Sequence, residues 1–237
     1  MPASTFKNTL LRHLEPEVVD RLSLRPVTFE LKHEIEFPGQ PIEHLFFVEE
    51  GVASMTTAFQ DGSQVEVGMF GFESVIGVSA LMGTKLSLNR IYTQVPGRGY
   101  SSPLQAAQLE FSRCGRFQAL ALRFVQAQLL QAVQSAGCNA KHHIEQRLAR
   151  WLLICADRAH AIILPLSQEF LADMLGSTRP TVSIAASTLR DEGLIDYTRG
   201  VVTLLDVARL EQRSCECYCI IKQYFDSYAE FDTAYTR

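Results

Sequence analysis

Between Ser167 and Gly193 the chain places three residues at a spacing that few folds tolerate: Ala172, Gly176 and Val182. Ala172 falls where two crossing helices approach closely and only a small side chain fits. Gly176, four residues on, can take the left-handed conformation of a tight turn. Val182 follows six residues later and points back into a core. Ser167 is suited to cap the first helix, with Glu169 in its first turn. Thr178 caps a second helix, and Pro180 sits in its first turn, where a missing N–H costs little. Leu171, Leu175 and Leu189 complete the apolar contacts, and Gly193 ends the unit. The spacing predicts a helix-turn-helix over 167–192. The residues from Gly193 to Thr198 then read as a strand, Arg199-Gly200 as a tight turn and Val201 to Leu205 as the returning strand, a β-wing directly behind the second helix.

The first half has a different grammar. Short runs rich in Val, Phe, Ile and Thr occupy 26–31, 44–49, 52–60 and 63–70, separated by Pro38-Gly39, Glu50-Gly51 and Asp61-Gly62. Further strands are expected at 73–78, 90–96 and 97–102. So many short strands imply a β-roll or jelly roll. After about residue 103 the pattern turns helical. From Arg116 to Ala136 no Pro or Gly interrupts the chain, and two apolar stripes run along it. Phe117, Leu120, Phe124 and Ala127 form one; Leu122, Val125, Leu129, Ala132 and Ala136 form the other. A helix with two apolar faces must be covered on both. The β-domain covers one, and a second copy of the chain is the economical cover for the other, although burial within one chain remains open. Gly137 to Lys141 reads as a hinge, followed by a helix at 142–158. The expected class is therefore α+β: a β-roll over 1–115, a dimerisation helix over 116–137 and a winged-helix domain with a C-terminal helix over 138–237.

With 237 residues and 47% hydrophobic content, the chain can build packed cores. Its net charge of −4 means that nucleic acid would be gripped by a local basic patch rather than by the whole surface. No run of apolar residues is long enough for a membrane span, and the N-terminus has no signal-peptide core, so a cytoplasmic protein is expected. The six cysteines lack the spacing of a disulfide framework. Cys215, Cys217 and Cys219 are expected on one helix at 206–228, where Cys217 would point away from the other two, so buried free thiols and no metal site are predicted. His142 and His143 are adjacent and would likewise diverge. No Gly-x-Ser-x-Gly, His-Glu-x-x-His or phosphate loop is present, and the chain carries no motif of an enzyme.

Taken together, Leu175-Gly-Ser-Thr-Arg-Pro-Thr-Val-Ser183, Leu189-Arg-Asp-Glu-Gly-Leu-Ile195 and Gln146-Arg-Leu-Ala-Arg-Trp-Leu-Leu153 resemble the Crp/Fnr family of bacterial regulators. The resemblance spans nearly the whole chain. It implies a cyclic-nucleotide-binding-type β-roll joined to a winged helix, a homodimer, double-stranded DNA as partner, and RNA polymerase and a small-molecule effector as further partners. The family's guanine-reading Arg falls on Arg179. Its usual Glu is Pro180 here, and a second Arg falls on Ile184, so the usual target sequence is not expected. Ser177, Thr178, Thr181 and Ser183 are the short hydroxyls at the same end, and Arg199 is the wing's basic residue; contacts to DNA are expected from all of them. The family's nucleotide pocket carries Gly-Glu and a later Arg-Ser/Thr-Ala. Here Gly77-Val78-Ser79 and Arg90 are what remain. Cyclic AMP is therefore not expected as effector, and with no cysteine before Cys114 neither is an N-terminal iron–sulfur cluster. A small-molecule-binding or interaction protein whose helix-turn-helix only packs is the competing reading.

Overall fold

The computed structural model describes residues 6–230. Two short helices, α1 (Thr9–Arg12) and α2 (Pro16–Arg21), lead into an antiparallel β-domain. Its strands are β1 (Arg25–Phe29), β2 (Glu34–Glu36), β3 (His44–Ala58), β4 (Gln64–Phe70), β5 (Val75–Ile76) and β6 (Arg90–Pro103). The backbone order is β1-β6-β3-β4, with β2 added on β6 and β5 on β3. The runs expected as separate strands at 44–49 and 52–60 are one 15-residue strand, and those at 90–96 and 97–102 are one of 14. Each pair fuses because the glycine between them makes a bulge, not a turn. Gly51 has a φ of 91°, and a side chain there would meet the Val95 carbonyl at 2.6 Å. A Cβ on Gly97 opposite would lie 1.8 Å from the Glu50 carbonyl. Two bare backbones cross at this point, and the register of β3 on β6 shifts there.

Helix α3 (Leu104–Phe111) links the β-domain to α4 (Arg116–Lys141). The expected stripe Phe117, Leu120, Phe124, Ala127 is fully buried. The expected hinge at 137–141 is instead helical: Gly137 is exposed and the ladder passes through it. The break comes at His142 and His143, which are both extended, and His143 caps α5 (Ile144–Ala159). The winged helix follows: β7 (Ile163–Leu164), α6 (Gln168–Leu175), α7 (Arg179–Asp191), β8 (Ile195–Thr198) and β9 (Val201–Leu204), the three strands ordered β7-β9-β8. The C-terminal helix expected at 206–228 is two helices, α8 (Val207–Arg213) and α9 (Cys217–Ser227). The chain leaves the helix at Ser214, whose backbone is extended, and re-enters at Cys217. This break overturns the expected divergence of the cysteines: Cys215 and Cys217 are buried in one cluster with Cys138, and Cys219 is exposed. No described helix is long and apolar enough to cross a membrane.

Candidate nucleic-acid interface

Helix α6 starts as the sequence dictates, the Ser167 hydroxyl accepting the Phe170 N–H at 3.1 Å. It ends at Gly176, whose φ of 55° turns the chain toward α7. Thr178 then caps α7 by accepting from the Thr181 N–H, and Pro180 occupies the first turn. Ala172, Val182, Ala185 and Leu189 are buried between the two helices and α5. The wing turn is set by Arg199 (φ 53°) and Gly200 (φ 79°); two positive φ angles in a two-residue loop match the twist of a tight hairpin.

This scaffold leaves the first turn of α7 in solvent. Arg179, Thr178 and Thr181 are exposed, and the two threonine hydroxyls lie 2.8 Å apart. Arg179 and Arg199 have no ion-pair partner among the described residues, so both guanidinium groups are available to an anion. The Arg179 charge also reaches the wing: it opposes the rise that burial gives the Tyr197 hydroxyl pKa. Ser177 and Ser183 are half-buried. The Ser183 hydroxyl donates to Gln168 Oε1 at 2.8 Å, tying α7 to the start of α6 through a link that sequence reasoning missed. Ile184 is 66% exposed on α7, a large apolar side chain held out in water.

The effector-type residues are dispersed. Gly77 (φ 91°) opens a single 3-10 turn, Val78–Met82, that carries Val78 and Ser79. Its N–H donates to the Glu36 carboxylate, which also accepts from Ser87 and whose pKa burial raises. Arg90 faces elsewhere: its Nε donates to Glu34 at 2.9 Å, and its guanidinium lies 4.9 Å over the Tyr92 ring. A cleft of about 770 Å³ lies at a different place, between the β-domain and the helices, with Phe72 and Glu73 on one wall and Arg158, Lys222 and Phe225 on the other.

Several contacts join the β-domain to the winged helix. A Cβ on Gly176 would meet the Val65 side chain of β4 at 2.8 Å, so the turn of the helix-turn-helix rests on that strand. Trp151 of α5 donates from its indole N–H to Glu66 of β4 at 3.0 Å and packs edge-on to Phe170 of α6. Burial lifts the Glu66 carboxyl to about 7, against the hydrogen bonds from Ser54 and Trp151 and the charges of Arg150 and Arg158. A second link is the buried pair Arg158–Glu73 at 2.7 Å.

Comparison with known proteins agrees with this architecture. Residues 146–213 match the Crp-like helix-turn-helix domain. The global nitrogen regulator of Nostoc sp. is 29% identical over 188 residues, 75% of this chain and 83% of that protein. Two solved structures share the fold. FixK2 from Bradyrhizobium japonicum has a TM-score of 0.69 at 18% identity, covering 81% of this chain and 98% of its own. A CRP/FNR-family transcriptional regulator from Thermus thermophilus has a TM-score of 0.63 at 20% identity, covering 80% and 98%. With the wing, the capped recognition helix and the antiparallel β-domain in this order, the chain is a DNA-binding transcription regulator that carries a Crp-like helix-turn-helix domain and is similar over its length to Crp/Fnr regulators.

Proposed function

We propose that the chain works as a homodimer that reads a palindromic DNA site through α7 and answers to an effector other than cyclic AMP. The observation that carries the reading is the exposed first turn of α7, with Arg179 free of any ion pair among the described residues and the Thr178 and Thr181 hydroxyls beside it. A recognition helix enters the major groove N-terminus first, which brings Arg179 closest to the base edges. Its guanidinium donates two parallel hydrogen bonds to guanine O6 and N7. Ile184, further along the helix, is an apolar group in the groove and suits the methyl of thymine, where a charged residue would seek a polar edge. Thr178, Thr181 and Ser177 hold phosphate oxygens, as does Arg199 from the wing; these contacts fix register without reading sequence. Ser183, expected among them, spends its proton on Gln168 and acts by supporting the helix. RNA polymerase is the further partner expected of a regulator.

Two features speak against cyclic AMP. The Gly77 N–H is already engaged by a carboxylate, Glu36, and a cyclic phosphate brought there would meet like charge. Arg90, the residue that the sequence offers in place of the family's phosphate-binding Arg, is held by Glu34.

Selection from a random DNA pool tests the reading, with wild type, Arg179→Ala and Arg199→Ala run side by side. Wild type should enrich a palindrome with half-sites ~34 Å apart. Arg179→Ala should lose about 1–3 kcal/mol and relax one base position per half-site. Arg199→Ala should weaken all sequences alike and lower the salt slope by about one unit. Equal enrichment of one palindrome by wild type and Arg179→Ala would remove Arg179 as a base reader.

A further inference from the structure

The break between α8 and α9 gathers four soft ligands in one place. Cys138 lies in the last turn of α4, and His142 follows four residues later on the same face. Cys215 lies in the extended break and Cys217 opens α9. The three sulfurs and a ring nitrogen of His142 all lie within 4.8 Å of one another. We propose that Cys138, His142, Cys215 and Cys217 form a tetrahedral site for a zinc ion, clamping the end of α4 to the C-terminal helices.

The geometry is close to what such a site requires. With Zn–S about 2.3 Å and Zn–N about 2.0–2.1 Å, the ligand atoms of a tetrahedron stand roughly 3.5–3.8 Å apart. Cys138 Sγ and Cys215 Sγ are 3.5 Å apart, and Cys217 Sγ and His142 Nδ1 are 3.6 Å apart. A disulfide needs about 2.05 Å, so the sulfurs are spaced for an ion rather than for each other. Three sulfurs and one imidazole close a tetrahedral shell, the ligand set and geometry that favour zinc over cations of oxygen-rich sites.

The surroundings are those of ligands held in place. His142 Nε2 lies 3.3 Å from the Glu216 carboxylate, which fixes the ring and leaves Nδ1 turned to the sulfurs. Gln134 of α4 directs its side-chain N–H at Cys217 Sγ at 3.1 Å, a donor aimed at the sulfur of a thiolate. The positive charges of Arg147 and Arg150, both on α5, act on Cys138 and offset the surplus negative charge that three thiolates bring to a divalent ion. Binding releases the thiol protons and involves no redox step. The site bridges the segment where α4 gives way to α5.

The test uses the full chain, reduced, stripped by a chelator under anaerobic conditions and titrated with Co²⁺, then Zn²⁺. One Co²⁺ per chain should appear with thiolate-to-metal charge-transfer absorption and the intense visible bands of a tetrahedral ion. One equivalent of Zn²⁺ should displace it. Cys138→Ser and Cys217→Ser should abolish or shift these bands, and Glu216→Ala should weaken zinc about 10–100-fold. The double variant Cys114→Ser/Cys219→Ser, which removes exposed thiols outside the cluster, should bind as wild type. A folded wild-type chain that takes up no Co²⁺, or takes it up with the weak bands of an octahedral ion, overturns the proposal. So does iron with acid-labile sulfide in zinc's place, or a Cys138–Cys215 disulfide that persists under reductant. The deciding titration is made on wild type without DNA, so neither a misfolded variant nor failure of the DNA reading obscures it.

Discussion

Glu66 is the residue on which the two halves of the chain meet. The Ser54 hydroxyl lies 2.6 Å from the Glu66 carboxyl and 2.7 Å from Gln94 Oε1, yet it has a single proton. A neutral Glu66 resolves this by donating to Ser54, which then donates to Gln94. That arrangement agrees with a carboxyl lifted to about 7 by burial. The sign follows from linkage. A carboxyl with a raised folded-state pKa keeps a proton that the unfolded chain releases near pH ~4.3, so its contribution is favourable at low pH and is lost as pH rises through about 7. Glu66→Gln preserves an acceptor for the Trp151 N–H and removes the titration. The advantage of wild type over Glu66→Gln should fall by up to about 3 kcal/mol between about pH 5 and about pH 8, as read from denaturant melts. A difference that does not change with pH would mean that Glu66 titrates in the ordinary range.

At the scale of elements, α4 explains both what the sequence reveals and what it hides. Its inner stripe is a 3.6-residue periodicity and is legible. Of the outer stripe, Leu122 and Leu129 are 46% and 56% exposed in the single chain, and Val133, which the expected stripe does not include, is 64% exposed beside them. Apolar side chains at this repeat need a covering surface, and in the homodimer proposed above a second α4 across a two-fold axis would supply it. Leu122→Asp/Leu129→Asp should therefore turn a light-scattering dimer into a monomer, while the far-ultraviolet circular dichroism of the chain persists. A wild-type monomer at micromolar concentration would defeat the reading. The end of α4 is harder to read because Gly137 looks like a stop, whereas an exposed glycine costs a helix only about 1 kcal/mol and cooperative packing on both sides overrides it. The wing and the helix-turn-helix are readable to within a residue or two because caps and left-handed turns are local. The cysteine cluster is not. Cys138 and Cys215 are 77 positions apart, and only the unwinding at Ser214 brings them together. The signals are a Cys-x₃-His step at the end of one helix and a Cys-x-Cys at the start of another, each weak alone.

For the whole molecule, the candidate effector residues show where pattern matching to a pocket fails. Gly77, Val78, Ser79 and Arg90 are near in the chain, but the fold spends the Gly77 amide on Glu36 and Arg90 on Glu34. Calorimetry with cyclic AMP should give no heat of binding at physiological concentrations. A micromolar dissociation constant would show that the acidic cluster rearranges to admit a phosphate. The interior contacts that a sequence cannot display are those between domains: Gly176 on Val65, Arg158 on Glu73, Trp151 on Glu66. They decide how firmly the reading head is held against the β-domain.

Trp151 is the only tryptophan in the chain, and it lies on that seam with its N–H on one domain and its ring against the other. The protein thus carries a single indole at the joint, whose emission is excited selectively beyond the absorption of the tyrosines. Emission from an indole responds to nearby carboxyl charge and to water, so its colour and intensity report the docking of the two halves without any label. Titrating DNA, candidate metabolites or acid into the unmodified protein and watching one emission band gives a direct screen for whatever loosens the joint.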